Sequence, residues 1–281
     1  MFRKLGVVFL VSVSVFMAVV LSKAGVGQLV LYDNFHSNHI DPSKWVGEPS
    51  SVPGGSDKDR REVAVGLVGE EENRRLRISE RAYSAITDNN GASGSGFGLG
   101  FANPSHLKAV SFTLAVNEAE AVGCAGNPGN PTFAGAGFSG DYFNPNPTSP
   151  QNGATGDITV FIGIGHLSNE VGTALDVSAS ISQCQDAQCN GQTPLAFQFL
   201  NFVQPDSTNT LSAIWDQPNH QFVFSLNNEP PVALTYNVPD SFPPGFPDKT
   251  FFVFGSVPHC TTTPRPLASI DAFFGNVYVN P

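Results

Sequence analysis

Four cysteines have the most defined chemistry in this sequence: Cys124, Cys184, Cys189 and Cys260. In an exported chain, four cysteines predict two disulfides, with three alternative pairings. Cys184 and Cys189 flank the polar turn of QCQDAQC, so we expect them to bond to each other. Cys124 and Cys260 would then form a long-range bridge.

Metal and hydrolase motifs give weaker signals. A metal site that adds His259 or His166 to the cysteines is the alternative to disulfides, but the spacing matches no zinc pattern. His36 and His39 flank a turn, and this spacing is more typical of a solvated loop than of a metal site. The sequence has no Gly-x-Ser-x-Gly elbow, no phosphate-binding glycine loop before a helix and no His-Glu-x-x-His.

Residues 1–24 have the three parts of a secretory signal peptide. Arg3 and Lys4 begin the segment, residues 5–21 are almost wholly apolar, and Ser22 to Ala24 supply small residues at the cleavage position. We therefore expect cleavage after Ala24 and export. An uncleaved membrane anchor is the alternative, because the apolar run approaches the ~20 residues that span a bilayer.

Charge and length limit the possible partners and the number of domains of the remaining chain. Without the leader, eleven basic and 24 acidic residues remain, which gives a net charge of −13. A field of that sign repels phosphate backbones, so we expect no nucleic-acid partner. No charged or low-complexity linker divides the chain, so residues 25–281 are predicted to form one domain. We expect a soluble monomer with no membrane contact after cleavage.

Alternation of apolar and polar residues recurs along the chain, and no long segment has a helical period. In RRLRISE, Leu76 and Ile78 face one way while Arg75 and Arg77 face the other, which is typical of a strand with one buried face. Clusters of Gly, Pro, Asn and Asp separate the segments and suit turns. Twelve strands are predicted, at residues 28–35, 62–68, 74–81, 110–116, 132–138, 158–164, 175–182, 195–203, 210–215, 221–226, 249–255 and 270–279.

This pattern predicts an all-β fold, a two-sheet antiparallel jelly-roll sandwich. The 23 phenylalanines lack a polar tip, so most are expected in the layer between the sheets. GASGSGFGLG, residues 91–100, precedes no helix and is predicted to be a flexible connection. The longest loop, residues 141–157, is expected to be functional or mobile, with a surface excursion of no role as the alternative.

Two short motifs resemble a known family. LYDNF, residues 31–35, followed by IDPSKW, residues 40–45, is similar to the opening of concanavalin A-like lectin/glucanase domains, which include the laminarinase and lichenase group of family-16 glycoside hydrolases. The hairpin at residues 213–231 and the closing strand at residues 269–280 also resemble that family. The resemblance implies a jelly roll over nearly all of the chain beyond the leader.

The resemblance also directs attention to a catalytic strand. In these hydrolases a Glu-Ile-Asp-x-x-Glu-like strand projects three carboxylates, because a retaining glycosidase needs a nucleophile and a proton donor ~5 Å apart. In GDITVFIGIG, Asp157, Thr159 and Phe161 occupy the three positions. Only Asp157 can ionise, so the resemblance implies a domain without the catalytic pair. The nearest other acids, Asp141 and Glu170, show no such alternation.

A structural calcium ion is a further implication, because many of these sandwiches hold one with a carboxylate near the closing strand. Asp271 in SIDAFF stands in the matching place, and its oxygen ligands suit calcium. The alternative is that Asp271 is a hydrogen-bonded or exposed strand residue.

The function implied by the resemblance is a secreted, non-catalytic, lectin-like domain that binds a glycan or polysaccharide. Such sites combine aromatic rings with amides and carboxylates. Core packing is the alternative for the tryptophan among the candidates. The candidate ligand-binding residues are Tyr142, Asn144, Asp157, Thr159, Trp215, Asn227 and Asn228.

Two other functions remain open. One is a divergent glycoside hydrolase or a polysaccharide lyase on the same fold, although a lyase needs a base beside a charge-neutralising group and this chain has few basic residues. The other is a structural or adhesive cell-envelope protein that recognises another protein. Export to the periplasm, the medium or the cell surface fits all three functions.

Overall fold

The computed structural model describes residues 28–47, 60–146 and 153–281, so the predicted leader and residues 147–152 of the long loop lie outside the described residues. Short 3₁₀ helices occur at Glu71–Asn73, Pro104–His106 and Gln217–Asn219. The strands are β1 Val30–Asp33, β2 Trp45–Val46, β3 Arg60–Val68, β4 Arg75–Tyr83, β5 Ala92–Phe101, β6 Ala109–Val122, β7 Phe133–Phe143, β8 Ile158–Leu167, β9 Leu175–Cys184, β10 Gln192–Val203, β11 Thr208–Asp216, β12 Gln221–Leu226, β13 Val232–Thr235, β14 Lys249–Pro258 and β15 Leu267–Val279.

These strands form two antiparallel sheets. The eight-stranded sheet has the order β13-β12-β11-β6-β15-β4-β3, with β1 also paired to β15. The seven-stranded sheet has the order β10-β9-β8-β7-β14-β5-β2. The predicted all-β, two-sheet antiparallel jelly-roll sandwich is therefore confirmed.

Strand β8 shows how side-chain alternation builds the core. Ile158, Val160 and Ile162 are fully buried on one face, while Thr159 and Phe161 lie on the other. Each fully buried aliphatic side chain of this kind contributes about 1.5–3 kcal/mol relative to an exposed one. The period of two therefore fixes which face of the seven-stranded sheet packs against the other sheet.

A cluster of phenyl rings fills the centre of the sandwich. Phe251 of the seven-stranded sheet lies 4.7 Å from Phe112 and 5.0 Å from Phe274, both of the eight-stranded sheet, between ring centroids. Ten of the twenty phenylalanines in the described ranges are buried, and the other ten are partly or fully exposed. The prediction that most Phe lies in the core is therefore wrong, because half of the rings lie at the surface.

The opening motif is held by one buried carboxylate. Asp33 Oδ2 accepts a hydrogen bond from Trp45 Nε1 at 2.8 Å, and Asp33 Oδ1 accepts one from the Phe35 N–H at 2.8 Å. The rings of Phe35 and Trp45 stack at 5.2 Å. The acidic and aromatic residues of LYDNF and IDPSKW therefore fasten β1 to the turn that precedes β2.

The segment at residues 91–100, predicted to be a flexible connection, is the regular strand β5 between β14 and β2. The prediction is wrong because glycine carries no hydropathy signal. Here the neighbouring strand supplies the side chains: the ring of Phe254 lies over Gly94, and the Cβ atom of Phe252 lies over Gly98. Pairing along the whole of β14 then orders the segment.

Both disulfides favoured by the sequence are present, Cys124–Cys260 with a sequence separation of 136 and Cys184–Cys189 with a separation of 5. No free cysteine occurs in the described part of the chain, so the alternative metal site at His259 or His166 has no thiolate ligand. The long bridge joins the ends of β6 and β14, which belong to different sheets.

Candidate functional site

The two aromatic candidates, Tyr142 and Trp215, lie in the core. Tyr142 packs edge-on against Phe222 with 4.9 Å between centroids, and Trp215 stacks on Phe143 at 5.4 Å. Trp215 Nε1 donates a hydrogen bond to the Tyr236 hydroxyl at 2.8 Å. Both rings therefore serve packing rather than ligand stacking, and the core alternative describes Trp215.

Asp157, directly before the first residue of β8, holds neighbouring loops together through hydrogen bonds. Its Oδ1 accepts hydrogen bonds from Asn144 Nδ2 and the Gly245 N–H, both at 2.7 Å, and its Oδ2 accepts one from the Phe246 N–H at 2.8 Å. Burial raises the pKa of Asp157, while these donors act in the opposite direction. Asn144 and Asp157 thus hold three segments together and present little surface to a ligand.

Thr159 lies directly opposite Asp141, on the adjacent strand β7. The pKa of Asp141 is raised to about 7: burial and the charges of Asp157 and Asp248 raise it, while the hydrogen bond with Thr159 and the charge of Lys249 lower it. In the sequence Asp141 shows no alternation with a second acid, and only the strand register brings it beside Thr159.

Lys249 is the buried cation next to these acids. Its Nζ donates a hydrogen bond to the Asp141 carbonyl oxygen at 2.9 Å and lies 4.4 Å from the centre of the Tyr142 ring. Burial lowers the pKa of Lys249 to about 8, against the raising effect of Asp141 and Asp248. The acidic and basic groups at this end of the sheet are therefore held inside the protein.

Asn227 and Asn228 belong to the turn that follows β12 of the eight-stranded sheet. Asn227 has a positive φ of 51°, accepts a hydrogen bond from the Thr210 N–H at 2.8 Å and donates one to Asn209 Oδ1 at 3.0 Å. The structure thus gathers five of the seven candidates around the end of β7 and places these two amides in a turn of the other sheet.

Asp271 is engaged by an arginine. Arg77 Nε and Nη2 lie 2.6 Å and 3.2 Å from the two Asp271 carboxylate oxygens. Over the described ranges, no group of three or more His, Cys, Asp or Glu side chains is arranged to hold a metal, and this holds for His36 and His39. The residues around Asp271 therefore do not fit the calcium ion that the resemblance implies.

The outer face of the seven-stranded sheet carries phenylalanines and glycines side by side, and three cross-strand rows define this surface. Each row runs through β10, β9, β8, β7, β14 and β5 and contains two phenylalanines. The first row is Phe197, Ser180, Phe161, Ser139, Thr250 and Gly100. The second is Phe199, Ser178, Gly163, Gly137, Phe252 and Gly98, and the third is Phe202, Asp176, Gly165, Gly135, Phe254 and Gly96. We name these three rows the Phe–Gly face.

Rings on this face lie over glycines. A Cβ atom built on Gly163 would lie 2.5 Å from the Phe161 ring, and one on Gly165 would lie 2.5 Å from the ring of Phe133. The rings occupy the space that side chains would otherwise fill, and they remain partly exposed. The result is an apolar surface with short hydroxyl side chains between the rings.

The same rows are almost free of charge. Asp176 is the one ionisable side chain among the residues that define them. Burial, together with a hydrogen bond to Glu170 and the charge of Glu170, raises the pKa of Asp176 to about 6. At the edge of the face, Phe197 and Phe202 are 66% and 58% exposed, and the Phe199 and Phe202 rings pack at 4.7 Å.

Comparison with solved structures gives matches of low sequence identity. A β-glucanase from Bacillus licheniformis is 13% identical with a TM-score of 0.43, covering 91% of this chain and 99% of that chain. LamAcat from Zobellia galactanivorans is 8% identical with a TM-score of 0.45, covering 91% and 97%. The exoplasmic/lumenal domain of VIP36 is 13% identical with a TM-score of 0.31, covering 84% and 91%.

No family model and no curated protein matches the chain. The two antiparallel sheets are the architecture that the resemblance implies, and at these TM-scores the matches carry no argument about family or function. In the described ranges, none of the helices is both long and apolar enough to span a membrane.

We predict that Gly137→Ala destabilises the protein by about 1–3 kcal/mol through overpacking. The added Cβ would overlap the carbonyl oxygen of Ile162 and lie 2.7 Å from the Cα atom of Gly163. Gly66→Ala is the matched control, because its Cβ meets nothing within 4 Å. Urea unfolding of both variants measures the difference, and equal midpoints would show that β7 and β8 do not need these glycines.

We predict that Asp141→Asn gains stability relative to the wild type as the pH rises from about 4 to about 7. The folded protein binds a proton at Asp141 more tightly than the unfolded chain does, since the pKa of Asp141 is raised to about 7. That contribution is present at low pH and is lost as the pH rises through the folded pKa. Urea unfolding of both proteins at about pH 4.5, near the lower end of this range, and at about pH 8, above its upper end, tests the sign of the effect. A difference in unfolding free energy that does not change with pH would contradict the prediction.

Proposed function

We propose that the protein is an exported carbohydrate-binding domain that holds a neutral polysaccharide against the Phe–Gly face and is non-catalytic toward that polysaccharide. The observation that carries this proposal is the set of phenyl rings that lie over glycines on the outer face of the seven-stranded sheet. Such a surface is complementary to the apolar faces of sugar rings, which stack on aromatic side chains.

Hydroxyl groups between the rings supply the polar part of the proposed surface. Ser178, Ser180 and Thr250 are partly exposed and share rows with Phe199, Phe161 and other rings. Each contact of this kind is weak, so affinity would come from a polymer that engages several rings at once. A polysaccharide therefore fits the proposed face better than a free monosaccharide.

The charges of the Phe–Gly face and of the whole chain favour an uncharged ligand. The formal net charge of the full sequence is −10, and the Phe–Gly face has one carboxylate and no cation in its three rows. An acidic polysaccharide would meet repulsion with no basic group to offset it. We therefore propose a neutral glucan or a similar uncharged chain as the ligand.

The two disulfides support the exported location that this proposal includes. Two disulfides are typical of an oxidising compartment, where residues 25–281 would act as one domain after removal of residues 1–24. Neutral polysaccharides of the cell envelope or the medium would be accessible to such a protein. The medium, the periplasm and the cell surface are all compatible with this role.

A divergent glycoside hydrolase is the second candidate function, and Asp141 is the observation that favours it. A buried carboxyl with a pKa of about 7 that feels the charge of Asp157 resembles a general acid beside a second carboxylate. Three donors occupy the Asp157 oxygens, however, and both residues are buried. A retaining mechanism needs a nucleophile whose oxygen is free to attack the sugar, and the hydrogen bonds on both Asp157 oxygens disfavour this candidate.

We predict that lichenan or laminarin retards the wild-type protein in affinity electrophoresis and that acidic alginate does not. Phe161→Ala and Phe252→Ala should each weaken retardation by about fivefold, the loss expected from one aromatic contact of about 1 kcal/mol. Phe273→Ala is the matched control, because Phe273 is a partly exposed ring on the eight-stranded sheet.

Absence of binding on an array of neutral glycans would contradict the proposal. It would favour the alternative function, a structural or adhesive protein that recognises another protein. The same samples should release no reducing ends from laminarin, lichenan or agar. Turnover that disappears in Asp141→Asn or Asp157→Ala would establish the hydrolase instead.

A further inference from the structure

Ser93, His259 and Asp88 form a hydrogen-bonded chain at the start of β5. Ser93 Oγ lies 3.2 Å from His259 Nε2, and His259 Nδ1 lies 3.0 Å from Asp88 Oδ1. This connectivity, with the hydroxyl at Nε2 and the carboxylate at Nδ1, is that of a Ser-His-Asp triad. A carboxylate at Nδ1 keeps the ring proton there, so Nε2 is able to accept the proton of the Ser93 hydroxyl.

The fold holds the serine and the histidine on paired strands. Ser93 lies on β5 opposite Val257 of β14, and His259 follows the last residue of β14. The His259 N–H donates a hydrogen bond to the Gly91 carbonyl oxygen at 3.1 Å. A nucleophile and a base on neighbouring strands keep their separation better than groups on free loops.

Neighbouring groups also support the histidine backbone. Asn127 Nδ2 donates hydrogen bonds to the carbonyl oxygens of Gly91 and His259 at 3.0 Å and 3.2 Å. The next residue, Cys260, is bonded to Cys124. These contacts therefore hold the backbone that carries the His259 ring.

This chain of residues is separate from the Phe–Gly face. Ser93 alternates with Gly94 along β5, and Gly94, Gly96 and Gly98 lie on the outer face with the Phe254 and Phe252 side chains over them. Ser93 is 7% exposed, whereas the His259 and Asp88 side chains are 17% and 51% exposed. Because so little of Ser93 is exposed, this arrangement favours a small acyl group over a large one.

We propose that Ser93 and His259 catalyse the hydrolysis of short-chain carboxylic esters, acetyl esters above all, with Asp88 as a positioning residue. This activity goes beyond the proposed glycan binding and does not depend on it. Ser93 Oγ attacks the ester carbonyl carbon while His259 Nε2 takes the hydroxyl proton. The tetrahedral intermediate expels the alcohol, which leaves with that proton, and an acetyl group remains on Ser93.

Water completes the reaction. His259 Nε2 takes a proton from a water molecule as its oxygen attacks the acetyl carbonyl carbon, and the bond to Ser93 Oγ breaks. The proton returns to Ser93, and acetate leaves with release of a proton to the solvent. No oxidant or further reactant is required.

The His220–Asp240 pair provides a matched comparison within the chain. His220 Nδ1 lies 3.2 Å from Asp240 Oδ2, and the His220 side chain is 59% exposed. The residues around it in the described part of the chain include no serine hydrogen-bonded to the ring. His220→Gln therefore removes an exposed histidine of similar geometry without touching the proposed nucleophile.

The test combines covalent labelling with ester hydrolysis by the purified full chain. An alkyl fluorophosphonate, which loses fluoride to a reactive serine, should label Ser93 as located by tandem mass spectrometry. p-Nitrophenyl acetate hydrolysis should fall by about 100-fold in Ser93→Ala and in His259→Gln, and His220→Gln should leave it unchanged. Asp88→Asn should lower kcat and leave KM unchanged, since Asp88 orients the base and does not contact the ester.

Wild-type protein without an adduct at Ser93, or equal hydrolysis by Ser93→Ala and the wild type, would overturn the proposal. If Ser93→Ala does not fold, Ser93→Cys provides the same test. A thiol at position 93 beside His259 should react with iodoacetamide faster than the same thiol in Ser93→Cys/His259→Gln. Equal rates in those two proteins would also overturn it.

Discussion

The close approach of β7 and β8 at Gly137 and Gly163 is the constraint on which the seven-stranded sheet depends. A side chain at either position would overlap backbone atoms of the neighbouring strand. With glycine there, the strands pair in one register, and that register sets which residues face the core. The same absence of side chains leaves room for the Phe161 ring on the outer face. Packing inside the sandwich and the chemistry of its surface therefore share one cause.

Much of the fold is predictable from the period of two in side-chain polarity. The twelve predicted strands all have counterparts, since an apolar residue at every second position is what a one-sided strand needs. Strand β5 was not predicted because glycines occupy its outward positions and show no alternation of polarity. Its regular structure comes from pairing with β14. The short strands β2 and β13 have too few residues to show a period.

Less of the candidate site is predictable. Asp141 and Thr159 meet only through the register of two strands, which is not visible in either segment alone. The surface rings were missed because burial is a one-way rule: buried residues are apolar, but apolar residues need not be buried. Tyr142 and Trp215 were assigned to a ligand because aromatic residues with polar tips serve both sites and cores. Ser93 and His259 are 166 positions apart, so their hydrogen bond has no local sequence signal.

The central claim is that the polysaccharide binds on the Phe–Gly face. Hydrogen–deuterium exchange with and without soluble laminarin or lichenan tests this claim most directly. Bound polymer should slow amide exchange in peptides from β8 and β14, which carry Phe161, Phe252 and Phe254 of the Phe–Gly face, and from β7 between them. Peptides from the eight-stranded sheet, such as β11 and β12, should exchange at the same rate in both samples. Protection confined to β11, β12 and the turn at Asn227 would contradict the account, as would uniform exchange with a glycan that the protein demonstrably binds.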